Sequence, residues 1–157
     1  MSEEFVRGSQ KLKRRIETIR KNVGEATKPE RIEKLLLTRM RARFAAQLDP
    51  DGKPWPELAP ETIENKRKAG YKFPTKALHA SGRLEAALGV IRGSATFGVA
   101  TGAGFRIGIA DKGAFYGRFH HRGEGVPQRE IFGIGASDVK AVDNLLRRDI
   151  IRAIRSS

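Results

Sequence analysis

A proline-rich segment constrains the fold of this chain more than any other feature of its sequence. Residues 44–68 contain the only tryptophan, Trp55, and four prolines, which are Pro50, Pro54, Pro56 and Pro60. Proline fixes φ and lacks a backbone N–H, so neither a helix nor a central strand can continue through this segment. We therefore predict a loop that joins a basic helical arm to a compact body, with the Trp55 ring anchored in the core.

The start of this segment, Asp49-Pro50-Asp51-Gly52, has the composition of a tight turn. Asp supplies a side-chain acceptor at the first position, Pro presets φ at the second, and Gly tolerates a positive φ at the last. Asp49 and Asp51 also resemble the first ligands of a calcium-binding loop, but the Gly and the distal Glu that such a loop requires do not follow. The pattern favours a turn over a calcium site.

The length and composition limit the class of protein. With 157 residues, 39% of them hydrophobic, the chain is long enough for one domain with a core plus an extension. It has no apolar run of about 18 residues and no apolar N-terminal segment, so neither a membrane span nor a secretory signal is predicted. Because it has no cysteine, disulfides and thiolate chemistry are excluded, and we expect assembly in a cytoplasm.

The formal net charge of +13 is large for a chain of this size. A basic surface raises the affinity for nucleic acid, for acidic proteins and for anionic lipid, and the charge alone does not choose among these partners. Aromatic residues make up only 7% of the chain and do not alternate with basic residues, so no stacking platform for single-stranded nucleic acid is predicted.

Two helices are predicted in the N-terminal arm, residues 1–48. The apolar face of the first comprises Leu12, Ile16, Ile19 and Val23, and Gly24 is expected to end this helix. A capping box at residues 27–30 then starts the second helix, which is predicted to reach about residue 48. Arg39, Arg41 and Arg43 interrupt its apolar stripe, and they form either a solvated face or a surface for a partner.

The body, residues 49–157, is predicted to be α+β. A short helix over residues 60–69 and another capped by Ser81 precede a hairpin at residues 95–110 with a Gly102-Ala103-Gly104 loop. A final strand over residues 129–135 and a last helix from Ser137 follow. The apolar face of that helix comprises Val139, Val142, Leu146, Ile150 and Ile154. The predicted fold is an antiparallel β-sheet with a long hairpin, packed by short helices and a C-terminal helix and preceded by the N-terminal helical arm.

The sequence offers no arrangement of residues for catalysis, or for cofactor or metal binding. His120 and His121 are adjacent, so on a helix they point about 100° apart and cannot easily hold one metal ion. His79 is distant in sequence, no Cys/His set exists, and neither a nucleophile elbow nor a carboxylate pair stands out. We predict a protein that is not an enzyme and that needs no cofactor or metal.

The segment YGRFHHRG, residues 116–123, is more informative. It predicts a short helix that ends at Gly123 and on which Tyr116, Phe119 and His120 share a face. His120 is interpreted as a hydrogen-bonded core or boundary residue rather than a ligand. Arg129 is expected to reach a carboxylate or a backbone carbonyl under the turn.

Four motifs in this order resemble those of the phage virion morphogenesis family, which contains the tail completion proteins of Mu-like and P2-like tailed phages. The motifs are DPDGKPWPEL, LHASGRL, YGRFHHRG and VPQREIFG. The matching positions are Asp49, Gly52, Trp55, Leu58, Leu78, Gly82, Leu84, Tyr116, His120, Gly123, Pro127, Arg129 and Gly133. Gly117, His121 and the Ile131-Phe132 pair depart from the family pattern.

The resemblance implies a structural protein of the head–tail junction that forms a homo-oligomeric ring, commonly sixfold. Such a ring would cap the tail tube, meet the neck or connector proteins, and lie near the genomic DNA in a virion assembled in the bacterial cytoplasm. Structural anchors are assigned among the matched positions: Trp55, Leu58, Tyr116, His120, Gly123, Pro127 and Arg129.

A ring subunit needs sheet edges that pair with neighbours and loops that become ordered on docking. Candidate interface residues are therefore taken from the arm, the loop at residues 71–76, the hairpin and the last helix. They are Arg39, Arg41, Arg43, Lys72, Lys76, Phe97, Phe105, Arg147 and Arg148. Two other functions remain open, a nucleic-acid-binding protein and a head-assembly factor that is absent from the finished virion.

Overall fold

The computed structural model describes residues 3–88, 96–101, 104–109 and 116–156. In these ranges the chain forms six helices and two strands. They are α1 Glu3–Ala26, α2 Pro29–Ala46, α3 Pro60–Lys68, α4 Arg83–Ala87, β1 Thr96–Thr101, β2 Gly104–Ile109, α5 Gly117–Arg122 and α6 Ala136–Arg155. Within the same ranges, no helix combines the length and the apolar character needed to cross a membrane.

A short turn joins the two N-terminal helices, which confirms the two predicted helices but not their ends. α1 continues past Gly24, so the predicted end at this glycine is wrong. Pro29 occupies the first position of α2, where its missing N–H costs nothing. Thr27 Oγ1 donates to Val23 O at 3.0 Å, so this hydroxyl binds the last turn of α1 and does not cap α2. The predicted capping box at the start of α2 is therefore wrong.

The turn predicted after α2 is confirmed. Gly52 has φ +84° and its N–H donates to Asp49 O at 3.0 Å, while Lys53 N donates to Asp49 Oδ1 at 2.8 Å. A bridge between Leu48 and Pro54 then brings the chain back beside the end of α2. The proline-rich segment is thus fixed by its own backbone hydrogen bonds before it reaches Trp55.

Trp55 is buried, with 6% of its surface exposed. Its ring lies edge-on to Phe44 with the centroids 5.5 Å apart, and its indole Nε1 donates to Glu130 O at 3.1 Å. Its backbone N–H donates to Gln47 O at 2.8 Å. The indole therefore joins the end of α2 to the segment before α6.

The core lies between α2, the proline-rich segment, α4 and the segment that precedes α6. Its buried members are Met40, Phe44, Trp55, Ala77, Leu84, Ala87, Leu88 and Ile131. Gly135, at the start of α6, lies so close to Pro50 that a Cβ there would clash with the proline carbonyl oxygen. The turn and the N-cap residue of α6 are consequently in direct backbone contact.

The hairpin is an antiparallel pair in which Thr96 faces Ile109 and Thr101 faces Gly104. Gly104 already belongs to β2, so the predicted three-residue glycine loop is wrong at its last position. Both strands pack beside α2.

The predicted α+β fold is wrong, because the chain is mostly helical. The two strands pair only with each other, and no further strand joins them in the described ranges. Residues 129–135, predicted as the final strand, form no ladder. Their backbone donors bind α5 instead: Arg129 N donates to His120 O at 2.7 Å and Ile131 N donates to His121 Nδ1 at 3.2 Å. These hydrogen bonds to α5 take the place of ladder bonds to a neighbouring strand.

The predicted boundary between an arm at residues 1–48 and a body at residues 49–157 remains a prediction. α2 belongs to the arm by that division, yet its Met40 and Phe44 lie in the same core as Trp55 and Leu84.

Candidate assembly interface

α6 turns carboxylates towards the rest of the molecule. Its buried residues are Asp138, Asp149 and Ala153. Asp138 and Asp149 are eleven positions apart, about three helical turns, so they lie on one face of α6. Burying two aspartates is costly unless each carboxylate is paired, so the residues opposite them decide how α6 is held.

Asp138 is held by two arginines of α2. Arg39 Nε donates to Asp138 Oδ1 at 2.5 Å, and Arg43 Nη1 donates to Asp138 Oδ2. Arg39 also donates to Ser137 Oγ at 2.9 Å, and Arg43 donates to Gly133 O at 3.0 Å. The same carboxylate accepts the Gly135 N–H at 3.1 Å, as an acidic residue in the first turn of a helix often does. Asp138 is therefore fully satisfied although none of its surface is exposed.

Asp149 is held at the other end of α2. Arg31 Nη2 donates to Asp149 Oδ2 at 2.5 Å, and Arg148 Nε lies 3.4 Å from Asp149 Oδ1. Burial raises the pKa of each carboxyl, but the arginine hydrogen bonds outweigh burial and hold the pKa of both Asp138 and Asp149 below the usual range. Both aspartates are consequently ionised at neutral pH, and α2 and α6 are tied together at both ends.

The apolar side chains of α6 are left partly uncovered as a result. Val139 is 59% exposed, Ile151 49% and Ile154 44%. α1 packs against α6, but its Leu12 and Ile16 are 60% and 55% exposed, so the predicted apolar face of α1 is only partly used. Exposed large apolar residues on two packed helices are typical of a surface that meets another protein.

The predicted interface arginines of α2 are engaged inside the molecule. Arg39 and Arg43 bind Asp138, and Arg41 Nε donates to Leu88 O at 2.9 Å. The interpretation of these arginines as a solvated face is therefore wrong, because their guanidinium groups donate hydrogen bonds within the molecule. Their role at an interface with a partner stays a prediction. On α6, Arg147 pairs with Asp143 at 2.8 Å on the exposed face.

The loop between α3 and α4 presents an aromatic ring between two lysines. Lys72 Nζ and Lys76 Nζ lie 5.3 Å and 5.2 Å from the Phe73 ring centroid, within cation–π range. Phe73 is 40% exposed and Tyr71 is 39% exposed. Exposed Lys72 and half-buried Lys76 thus both lie beside the exposed Phe73 ring, and their role at an interface stays a prediction.

His79 lies beneath this loop, at a cavity of about 850 Å³ that Phe73 and Glu85 also line. Its ring is 5% exposed and lies between Phe44 and Phe73, with centroids 5.1 Å and 5.7 Å away. Burial lowers the pKa of His79, and Lys76 lowers it further, while Glu85, 3.2 Å from Nδ1, acts in the opposite direction. Burial prevails, so this histidine is neutral at pH 7.

The predicted interface residues Phe97 and Phe105 lie on the two strands of the hairpin. Phe97 is paired with Gly108 and Phe105 with Ala100, so the two phenylalanine positions do not face each other across the ladder.

α4 begins after Gly82, whose φ is +76°, and has no side-chain cap. The predicted capping role of Ser81 is therefore wrong.

Arg129 is the most deeply buried arginine of the described residues, at 3% exposure. Its guanidinium donates to Pro56 O at 2.9 Å and 3.1 Å and to Glu57 O at 3.2 Å, which confirms the predicted contact with backbone carbonyls. Gly123 has φ +75° and ends α5, while Pro127 is exposed and its carbonyl lies 3.4 Å from Arg129 Nη1.

The remaining anchor positions surround the core. Leu58 and Tyr116 pack against it from the outside. His120 is half-buried, and its Nδ1 has no hydrogen-bond partner in the described part of the chain. The hydrogen bond predicted for its ring stays a prediction. Burial, and secondarily Arg129, lower the pKa of His120.

Several residues that hold the structure were missed from the sequence. Asp138, Asp149 and Arg31 were not among the predicted site residues. Matching spacings were the signal that could have revealed them. The two aspartates are eleven positions apart on α6, and Arg39 and Arg43 are eight and twelve positions from Arg31 on α2. His121 was expected only as a departure from a motif, yet its ring accepts two backbone N–H groups.

The described helices thus bury acids on one side of α6 and leave large apolar residues exposed on another. A family model described as the phage virion morphogenesis family matches residues 8–150, and the chain belongs to this family. Its role is in the structure or morphogenesis of a phage virion. No curated protein sequence and no solved structure matches the chain.

Proposed function

We propose that this chain is a tail completion or tail terminator subunit that assembles into a ring, six-membered, at the head–tail junction of a tailed phage. In this role it would contact the neck or connector on one side and the tail tube on the other. Membership of the phage virion morphogenesis family supports a role in the virion, and the exposed apolar residues of α6 support self-association.

The observation that carries the proposal is the orientation of α6. The helix buries Asp138 and Asp149 and exposes Val139, Ile151 and Ile154. In an isolated subunit this arrangement leaves apolar area in water, at a cost of about 25 cal/mol for each Å². A second protein surface placed on α6 would remove that cost, as it does in oligomers whose interfaces are rich in apolar and arginine side chains.

Light scattering on the purified chain tests self-association. We expect a mass of several subunits, in the absence of nucleic acid, that falls as the protein is diluted. Val139→Asp and Ile151→Asp should each shift the equilibrium towards the monomer, because each places a charge in an apolar contact. Thr38→Asp, which adds the same charge at an exposed position of α2, is the matched control and should leave the mass unchanged. A wild-type chain that remains monomeric at all concentrations would contradict the proposal.

The position in the particle needs a separate measurement. A cryo-EM map of the neck of the virion should contain density for a ring of this fold between the connector and the tail tube. Mass spectrometry of purified virions separates this role from that of a head-assembly factor, which would be missing from mature particles.

The net charge of +13 favours one further candidate, a nucleic-acid-binding protein. That function predicts a monomer whose affinity for duplex DNA falls steeply with salt. It makes no use of the exposed apolar residues of α1 and α6.

A further inference from the structure

The charges of this basic chain are unevenly distributed. Residues 49–64 contain five acidic residues and one lysine, so this stretch is acidic in a chain of net charge +13. We define the acidic ridge as Glu57, Glu61 and Glu64, which are exposed at the start of α3. Glu57 and Glu61 have no ion-pair partner among the residues described, and Glu64 has only exposed contacts of 3.7 Å and 3.9 Å within α3. Exposed Pro56 and Pro60 lie beside these carboxylates and give the ridge a rigid apolar border.

A surface of opposite charge lies at the C-terminal end of α6. We define the basic face as Arg148, Arg152 and Arg155, whose spacing of four and three positions places them on one side of the helix. They line a depression together with Ile151, which is 49% exposed. In the described part of the chain Arg152 and Arg155 have no acidic partner. Cations at a helix C-terminus are favoured by its dipole, but the dipole does not explain an exposed isoleucine among them.

The two surfaces lie at opposite ends of α2 and cannot meet within one subunit. Arg31, in the first turn of α2, binds Asp149 beside the basic face. Phe44, near the last turn, packs on Trp55, two residues before the acidic ridge begins at Glu57. Thirteen residues separate Arg31 from Phe44, which is about 20 Å along a helix.

We propose that the acidic ridge of one subunit docks on the basic face of the next. A contact between two different surfaces of identical subunits is heterologous, and its repetition closes a ring when the rotation permits. This inference rests on the proposed function and identifies the surfaces through which the ring would form. The opposite charges set the orientation and the rate of docking, and Ile151 with the two prolines provides the apolar contact.

A second copy fits the basic face better than duplex DNA does. A phosphate backbone offers charge but no apolar partner for Ile151, whereas the acidic ridge offers both glutamates and exposed prolines. The acidic ridge itself repels DNA and would have no role in a nucleic-acid complex.

Charge exchange tests the contact directly. The double variant Arg152→Glu with Arg155→Glu reverses the basic face, and Glu57→Arg with Glu61→Arg reverses the acidic ridge. Each should weaken self-association about tenfold or more, measured by light scattering or sedimentation. A chain that carries all four changes should recover association, and so should an equimolar mixture of the two double variants, because each mixture partner then meets a complementary surface.

Matched controls separate local folding from docking. Arg118→Glu with Arg122→Glu on α5 reverses two exposed charges away from both surfaces, matches the basic-face variant in its change of charge, and should leave association unchanged. Circular dichroism and thermal melts of every variant should match the wild-type chain. Each double variant should also lose the salt sensitivity of association that the wild-type contact shows.

The outcomes distinguish this inference from the function on which it rests. If the wild-type chain associates and the double variants associate equally well, the ring forms through other surfaces and only the docking inference is overturned. If the wild-type chain does not associate at all, the proposed function and the docking inference fall together. If the Arg152→Glu, Arg155→Glu variant associates normally but no longer binds a duplex oligonucleotide, the basic face is a nucleic-acid surface and the inference is overturned.

Discussion

Arg39 and Asp138, 99 positions apart in sequence, are joined by a 2.5 Å contact between Nε and Oδ1. The Asp138 side chain is almost completely buried, whereas a third of the Arg39 side chain remains exposed. Together with Arg43 on the same carboxylate, this pair fixes the first turn of α6 on α2.

Asp138→Ala should be among the most destabilising single substitutions in the chain. It leaves two arginines facing a buried site without an acid and removes the acceptor of the Gly135 N–H. We expect a loss of about 3 kcal/mol in the free energy of unfolding, measured by urea denaturation. Asp143→Ala removes an exposed ion pair on the same helix and should cost less than about 1 kcal/mol. Equal losses for the two variants would contradict the role of Asp138.

Trp55→Ala should cost about 3–5 kcal/mol in the free energy of unfolding, because it empties a buried site beside Phe44. Trp55→Phe retains most of the ring volume but loses the hydrogen bond from Nε1 to Glu130 O, so its cost should be smaller. An unchanged melting temperature for the alanine variant would show that the indole is not the anchor of the proline-rich segment.

Gly135→Ala should destabilise the chain by about 1–3 kcal/mol, since the new Cβ would clash with the carbonyl oxygen of Pro50. Gly24→Ala provides a control in a helix where no atom lies within 4 Å of the added methyl group. It should stabilise the chain by about 0.5–1 kcal/mol, because alanine has the higher helix propensity. Thermal unfolding of both variants checks the two signs.

Stability should fall as the pH is lowered from about 7.5 to about 5.5. Burial is the main cause that lowers the pKa of both His79 and His120 in the folded chain. The unfolded chain therefore takes up protons first, below a pKa of about 6.5, and the slope is at most about 1.4 kcal/mol per pH unit for each histidine. His79→Asn and His120→Asn should each reduce the loss of melting temperature. Stability that rises on acidification in this range would show that the histidines are charged when folded.

A second, lower transition should follow from the aspartates. The pKa of Asp138 and that of Asp149 are held below the usual range in the folded chain. Their contribution to stability is thus present above the unfolded pKa of about 3.9 and is lost as the pH falls through the lower folded values. Asp138→Asn should flatten the acid limb of the stability profile, and an unchanged limb would remove this carboxyl from the explanation.

Local chemistry made part of this structure predictable from sequence. Asp49 and Gly52 specify their turn by side-chain acceptor and positive φ, and Trp55 between prolines is buried as expected. These features depend on residues close together in the chain. The apolar periodicity of α6 was also read correctly as helical.

The direction in which that helix faces could not be read from periodicity. An apolar stripe is expected to point inward, but the pairs Arg39–Asp138 and Arg31–Asp149 hold the flank of α6 that carries the aspartates against α2, and Val139 and Ile154 at the two ends of the stripe are left exposed. These pairs join residues about a hundred positions apart, and the matching spacings of acids on α6 and arginines on α2 do not by themselves show that the two helices face each other. The prediction of a final strand was wrong for a similar reason, because His120 and His121 of α5 accept the backbone N–H groups of Arg129 and Ile131.

The buried acids of α6 have a consequence for how such a protein can change over time. Asp138 and Asp149 keep the helix in place, while Val139, Ile151 and Ile154 contribute little to that attachment. The outward positions can therefore diverge when a binding partner diverges, without loss of the fold. Residues that hold the helix in place and residues that face outward alternate along the same twenty positions, so mutation can change one set without the other.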